Sequence, residues 1–186
     1  LAVSGTNIFA GTLNDGIFLS ADDGKSWTAV NDGLASMSIA ALAVSGTNIF
    51  AGTLNDGVFL STDTGRSWTA VNTGLTNTNV LALTVSGINI FAATLDSGVF
   101  LSTNNGTLWT AVNTGLTNIN VQAFAVDGTN IFAGTAGNGI FLSTNTGGSW
   151  TAVNTGLTNT DVRAFAINGT NIFAATEGGV FLSTNN

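Results

Sequence analysis

The chain has 186 residues, 44% of them hydrophobic and 7% charged, with a mean hydropathy of +0.39, which is enough apolar material for one domain to bury a core. Its net charge is −7, ten acidic residues against Lys25, Arg66 and Arg163, and three scattered cations cannot displace the counterions of a polyanion, so nucleic acid is excluded as a partner. Without any Cys or His there is no disulfide framework, no thiol chemistry, no zinc site and no ordinary nucleophile–base pair.

High hydropathy leaves two architectures to weigh, a membrane protein or stacked sheets buried on both faces. The longest apolar runs, such as Ile39–Val44, fall far short of the ~20 residues of a membrane-spanning helix. Strands of an outer-membrane barrel run to ~10 residues in strict alternation, whereas these are shorter and punctuated by Gly and Asn. Short continuous apolar runs are what stacked sheets require. No membrane span is expected.

In chain order the text repeats. Tryptophans stand at Trp27, Trp68, Trp109 and Trp150, each 41 residues after the last, so one supersecondary unit is copied head to tail. The units are 1–41, 42–82, 83–123 and 124–164, followed by a partial unit, 165–186. In the second unit, strand one is Leu42-Ala43-Val44 extended back through Ile39. Ser45-Gly46-Thr47-Asn48 turns the chain into strand two, Ile49–Thr53. Asn55-Asp56-Gly57 is a hairpin signal, because Asn-Gly and Asp-Gly steps suit turns that need positive φ. Strand three is Val58-Phe59-Leu60-Ser61 and strand four runs from Trp68 to Val71, with the turn Ser61–Trp68 between them. A polar connector, 72–79, leads to the next unit. Four antiparallel strands per ~40 residues with a longer polar link describe an all-β propeller of four-stranded blades, one domain over residues 1–186, with about five blades and the last incomplete.

The turn between strands three and four is read as self-capping. Asp63 can accept hydrogen bonds from amides two or three residues on, Gly65 can take positive φ, and Trp68 anchors the next strand as a buried side chain whose indole N–H needs an acceptor. Ser20–Trp27 and Ser61–Trp68 match S-x-D-x-G-x-[ST]-W at Ser20, Asp22, Gly24 and Trp27 and at Ser61, Asp63, Gly65 and Trp68. The third copy carries Asn104, Gly106, Leu108 and Trp109, and the fourth Asn145, Gly147 and Trp150; Asn keeps a side-chain acceptor, so the turn survives. This pattern resembles the Asp-box, or BNR, repeat of sialidase-type propellers. The resemblance spans the whole chain and implies a structural role for the box. That superfamily includes sialidases, a sortilin-type receptor propeller, photosystem II assembly factors and many secreted bacterial proteins, and the repeat text is most similar to the last group. Fold transfers on such grounds and function need not. Sialidases use an arginine triad and a tyrosine nucleophile, and this chain has two Arg and no Tyr, so that activity is refused.

Two loop sets are candidates for ligand-facing residues. The strand two–three turns present Asp15, Asp56, Asp96, Asn138 and Glu177 at roughly equivalent positions. They read either as an acidic ring attracting cations or polar ligands or, preferred here, as turn chemistry. Just before strand one the repeats diverge, reading Ala40, Leu81, Gln122 and Arg163. Such a position is either tuned for a ligand or unconstrained; Arg163 beside Asp161 is the pair with binding character. Asn105-Gly106-Thr107 and Asn168-Gly169-Thr170 fit the N-glycosylation pattern, as chance allows in so Asn- and Thr-rich a chain. Asp22-Asp23-Gly24 is too short for a calcium loop.

The fifth unit stops at Asn185-Asn186, inside what would be another box, without its Trp or outer strand. The chain also opens at Leu1 with neither an initiator Met nor a signal peptide, which reads as a mature or trimmed piece. An uncovered strand edge is a pairing template, so Gly179–Ser183 is expected to be covered by a strand from another chain or from further sequence. The resulting expectation is a non-enzymatic extracellular or cell-surface module of bacterial texture, without cofactor or metal, serving structural, self-assembly or adhesion ends. The alternative is a lectin-like glycan binder, which would want an exposed aromatic ring.

Overall fold

The computed structural model describes residues 1–184; Asn185 and Asn186, where the fifth turn was expected to begin, lie outside the described residues. The described chain forms five antiparallel sheets in sequence order. Sheet one holds β1 (Ala2–Ser4), β2 (Asn7–Gly11), β3 (Ile17–Ser20) and β4 (Thr28–Ala29); sheet two holds β5 (Ile39–Ser45), β6 (Asn48–Thr53), β7 (Val58–Ser61) and β8 (Thr69–Ala70). Sheet three holds β9 (Val80–Ser86), β10 (Asn89–Thr94), β11 (Gly98–Ser102) and β12 (Thr110–Ala111). Sheet four holds β13 (Val121–Asp127), β14 (Asn130–Thr135), β15 (Gly139–Ser143) and β16 (Thr151–Ala152). Sheet five has three strands, β17 (Val162–Asn168), β18 (Asn171–Thr176) and β19 (Gly179–Ser183). In every sheet consecutive strands are neighbours, the meander that tight Gly-containing turns permit.

The second strands β6, β10 and β14 are buried on both faces from their second residue onward. That burial explains why their text is continuously apolar rather than alternating. Strand four is shorter than the sequence suggests: only Thr69–Ala70 pair in sheet two, at Phe59↔Ala70 and Leu60↔Thr69, with Trp68 just outside. Adjacent sheets pack through apolar clusters. Phe9, Ile17, Ile49, Phe59 and Trp68 join sheets one and two; Phe50, Val58, Ile90, Phe100 and Trp109 join sheets two and three. Phe91, Val99, Ile131, Phe141 and Trp150 join sheets three and four. Between sheets four and five the buried cluster shrinks to Ala125, Phe132 and Ile172.

The first strands of sheets two to five carry a bulge at one repeated place. Pairing skips Ala40, Leu81, Gln122 and Arg163, between Ile39 and Ala41 in sheet two and at the equivalent steps of the others. A bulge frees one residue from the ladder and re-aims its side chain. These four residues, with Leu1 just before β1 and their neighbours on β5, β9, β13 and β17, line a channel of about 460 Å³. The positions at which the repeats diverge are therefore the ones that the backbone has released from pairing.

Candidate functional site

Three places could bear function: the turns that end in tryptophan, the loop end of the channel, and the outer edge of sheet five. In the turns, the Ser61 hydroxyl donates to Asp63 Oδ1 at 2.9 Å and accepts from the Gly65 amide at 2.8 Å. Asp63 in turn accepts from the Ser67 amide (2.9 Å) and hydroxyl (2.7 Å), four residues on, and the Arg66 amide three residues on also favours its ionised form. Ser20, Asp22, Gly24 and Ser26 repeat this network in the first turn. The Asn versions keep it: Asn104 Oδ1 accepts from the Leu108 amide, and Asn145 Oδ1 from the Ser149 amide, each at 2.9 Å. Ser102 and Ser143 accept from Gly106 and Gly147 at 2.9 Å. The residue before each of these glycines, Asp23, Thr64, Asn105 or Thr146, also has positive φ, a feature that the sequence pattern did not signal.

Hydrogen bonds from Ser26 and Ser20 lower the Asp22 carboxyl from an ordinary value of 3.8 to about 2, and bonds from Ser67 and Ser61 do the same to Asp63. A carboxyl depressed in the folded state contributes stability that is full above its unfolded pKa and lost as pH falls through its folded value. The melting temperature should therefore drop between about pH 4 and pH 2. The double variant Asp22→Asn/Asp63→Asn, which copies the third and fourth turns, should melt with a flatter profile there. Parallel profiles from pH 5 to 2 would refute the assignment.

The tryptophans do not behave alike. Trp68, Trp109 and Trp150 are buried, with 4%, 2% and 3% of their surface exposed. Each donates its indole N–H to the preceding sheet, to the carbonyls of Val30 (2.9 Å), Val71 (2.8 Å) and Val112 (2.8 Å). Their backbone amides reach the same sheet at Asp32, Thr73 and Thr114, each at 2.9 Å. Trp27 is 41% exposed, contrary to the expectation of a buried anchor: among the described residues no valine carbonyl receives its indole as Val30, Val71 and Val112 receive the others.

At the loop end, connectors and strand two–three turns lie together, tied by Ser38 Oγ to the Leu13 carbonyl, Thr78 Oγ1 to Asn55 and Thr160 Oγ1 to Gly137. Asp15, Asp56 and Asn138 share one position, where the backbone amide donates to Thr12, Thr53 or Thr135 Oγ1. Asp96 stands one residue earlier in its turn, at φ 55°, and Glu177 falls in a turn shortened by one residue. Arg163 is held by two carboxylates, Asp161 at 2.9 Å and Glu177 at 2.7 Å, so its charge is answered within the chain. Gln122 lines the channel beside it. Sequence reasoning missed Asn31, Asn72, Asn113 and Asn154. Each Oδ1 accepts the amide of Ile17, Val58, Val99 or Ile140 at the start of strand three at 2.7 Å, and each Nδ2 donates to the carbonyl two residues before it, of Asp15, Asp56, Ser97 or Asn138. Their fixed place after Trp-Thr-Ala-Val was the available signal.

The edge of sheet five is unlike the others. No fourth strand pairs with β19 among the described residues. Val180 is 70% exposed where its counterparts Val58 and Val99 are fully buried, and Leu182 is 55% exposed where Leu60, Leu101 and Leu142 are half-buried. Behind that edge lies a cavity of about 160 Å³ lined by Ile140, Val153, Leu157, Ile172, Ala174 and Phe181, among others.

With this geometry in view, the chain was compared with known proteins. No protein-family model matches the sequence, and no curated protein matches it. Solved structures do match. The computationally designed Ika8 protein aligns over 97% of this chain and 56% of its own, at 15% identity and a TM-score of 0.73. An ancestral GH74 enzyme aligns over 92% of this chain and 26% of its own, at 22% identity and a TM-score of 0.74. YCF48 bound to a D1 peptide aligns over 95% and 62%, at 14% identity and a TM-score of 0.72. The fold is a β-propeller. Its sheets are the blades, about five in number. At these identities the likeness extends to fold alone, and the chain spans about a quarter to three fifths of the lengths of these three structures. Among the described residues no helix is long and apolar enough to cross a membrane, and no three acidic side chains group as a metal site.

Proposed function

We propose that this propeller is a non-catalytic module of the Asp-box type, acting outside the cell or on its surface, whose incomplete fifth blade accepts a strand from another chain or from further sequence. The observation that carries this reading is the edge of β19, an apolar strand left three-deep in its sheet with Val180 and Leu182 in solvent. Such an edge offers a row of backbone groups to any extended partner. YCF48, a propeller of similar fold, has been captured with a peptide, which lends the idea a precedent. Non-catalysis rests on the chain's chemistry: it has no His, Cys or Tyr, and the two carboxylates with moved pKa values are held ionised by turn hydrogen bonds rather than raised for acid work. Self-assembly through such edges predicts a concentration-dependent rise in mass by light scattering, from 18.7 kDa to dimers or longer species. A chain that stays monomeric at high concentration would leave adhesion or partner binding as the role.

A second reading, a lectin-like propeller, is favoured by one observation, the exposed ring of Trp27, since sugars stack on accessible aromatic faces. Titration with oligosaccharides should then quench Trp27 and leave the Trp27→Ala variant silent. Quenching that persists in that variant would sink this reading.

A further inference from the structure

The cavity behind β19 is an empty tryptophan seat, and the three filled copies of that seat specify what enters it. Trp150 sits among Val99, Val112, Leu116, Ile131, Ala133 and Phe141. The residues around the empty space, Ile140, Val153, Leu157, Ile172, Ala174 and Phe181, are the same positions one repeat later. In the filled seats the indole N–H goes to the carbonyl of Val30, Val71 or Val112, and the next in that series is Val153, which borders the cavity. The tryptophan's backbone amide goes to Asp32, Thr73 or Thr114, and the next is Thr155, also at the cavity.

The rest of the incoming strand is specified in the same way. In every complete blade the valine three residues after the tryptophan donates its amide to the carbonyl of the first apolar residue of strand three. The bonds run Val30 to Ile17, Val71 to Val58, Val112 to Val99 and Val153 to Ile140, at 2.8 to 2.9 Å. The following asparagine accepts that residue's own amide at 2.7 Å. In blade five the equivalent residue is Val180, paired through β18 on one side and 70% exposed. Among the described residues Trp27, 41% exposed, has no valine carbonyl at its indole. A strand seated on β19 would carry that valine.

We propose that blade five is a receptor for an extended Trp-Thr-Ala-Val-Asn strand from outside the described residues. Its indole fills the cavity and donates to Val153, its Val-Asn pair bonds Val180, and its valine carbonyl receives the indole of Trp27. The proposal rests on the strand-acceptor reading above and adds the sequence that is accepted. One strand thereby fills the seat behind β19 and receives the indole of Trp27. An intact second copy has no such strand to lend without opening a blade, because Val30, Val71 and Val112 already hold the next tryptophan and Val153 is bonded to Ile140. The donor therefore carries this text outside a finished sheet.

The test uses residues 1–186, labelled with ¹⁵N, and an unlabelled synthetic peptide with the sequence of Thr62–Asn72. Calorimetry should give one peptide per chain. Alanine in place of the peptide tryptophan should weaken binding by at least about 30-fold, the scale of a buried anchor at an interface centre. Ala174→Leu in the protein, which fills the seat, should weaken the parent peptide to the level of the alanine peptide, its melting curve certifying that it folds. In the free protein three indole N–H groups should exchange slowly with solvent, and on peptide addition the Trp27 indole should join them. Equal affinity of the two peptides overturns the seat while leaving edge pairing in place. Binding of neither overturns the seat and the strand-acceptor reading together. Binding with Trp27 still in fast exchange overturns the contact between the strand and Trp27.

Discussion

Replacing Trp109 with alanine should lower the unfolding free energy by about 3–5 kcal/mol, the usual cost of emptying a large aromatic site in a packed core. The same change at Trp27 should cost less than about 1 kcal/mol, as for an exposed residue outside any network. The two residues share the same strand text, Trp-Thr-Ala, so the contrast isolates the seat. Trp109 is 2% exposed, packs with Phe50, Val58, Ile90 and Phe100, and loses an indole hydrogen bond to Val71 when cut back. Trp27 has none of these on the side where a preceding blade would stand. Urea unfolding followed by far-ultraviolet circular dichroism reads both. In a repeat array each blade is stabilised by its neighbours, so Trp109→Ala also weakens the joint between blades two and three. A lower m-value or a second transition should accompany the loss. Equal costs at the two positions would mean that the tryptophan seats do not hold the blades together.

The repeat was legible because the propeller's physics is local. The interval of 41 residues, Asn-Asp-Gly and the Ser-to-Trp turn each fix a short piece of backbone, and the observed strands Ile39–Ser45, Asn48–Thr53 and Val58–Ser61 follow that reading closely. What escaped depends on neighbours. Near-identical text buries Trp68 and exposes Trp27, because burial belongs to the pair of blades and not to the unit. The divergence at Ala40, Leu81, Gln122 and Arg163 was visible in the sequence, but its cause was not: a bulge lifts these residues from the ladder and turns them to the channel. Arg163 looked like a binding residue from its place beside Asp161; the one-residue deletion that brings Glu177 to its other side could only be read in three dimensions. The asparagines after Trp-Thr-Ala-Val were overlooked because Asn is common here, and their two bonds span 14 and 16 residues.

Gly115→Ala should be among the most damaging small substitutions, and Gly156→Ala should be far milder. Both glycines follow the same turn, with Leu116 donating to Asn113 and Leu157 to Asn154 at 3.0 Å, and both are left-handed, at φ 89° and 82°. An alanine in that conformation is strained by about 1–2 kcal/mol wherever it sits. At Gly115 the new methyl would also overlap the backbone carbonyl of Trp150, and Gly33 and Gly74 face Trp68 and Trp109 in the same way. Backbone cannot swing aside as a flexible side chain can, so the total at Gly115 should exceed about 3 kcal/mol, with blade four pushed off blade three. At Gly156 nothing lies within 4 Å of the added carbon, and strain alone remains. Denaturant unfolding of the two variants at the same low protein concentration measures the difference. Should Gly156→Ala prove as costly as Gly115→Ala, the space beside it is occupied in solution, and the fifth blade already holds a strand. A small cost in the isolated protein that grows on adding the tryptophan-bearing peptide would instead place that strand's backbone against Gly156, where Trp150 stands against Gly115.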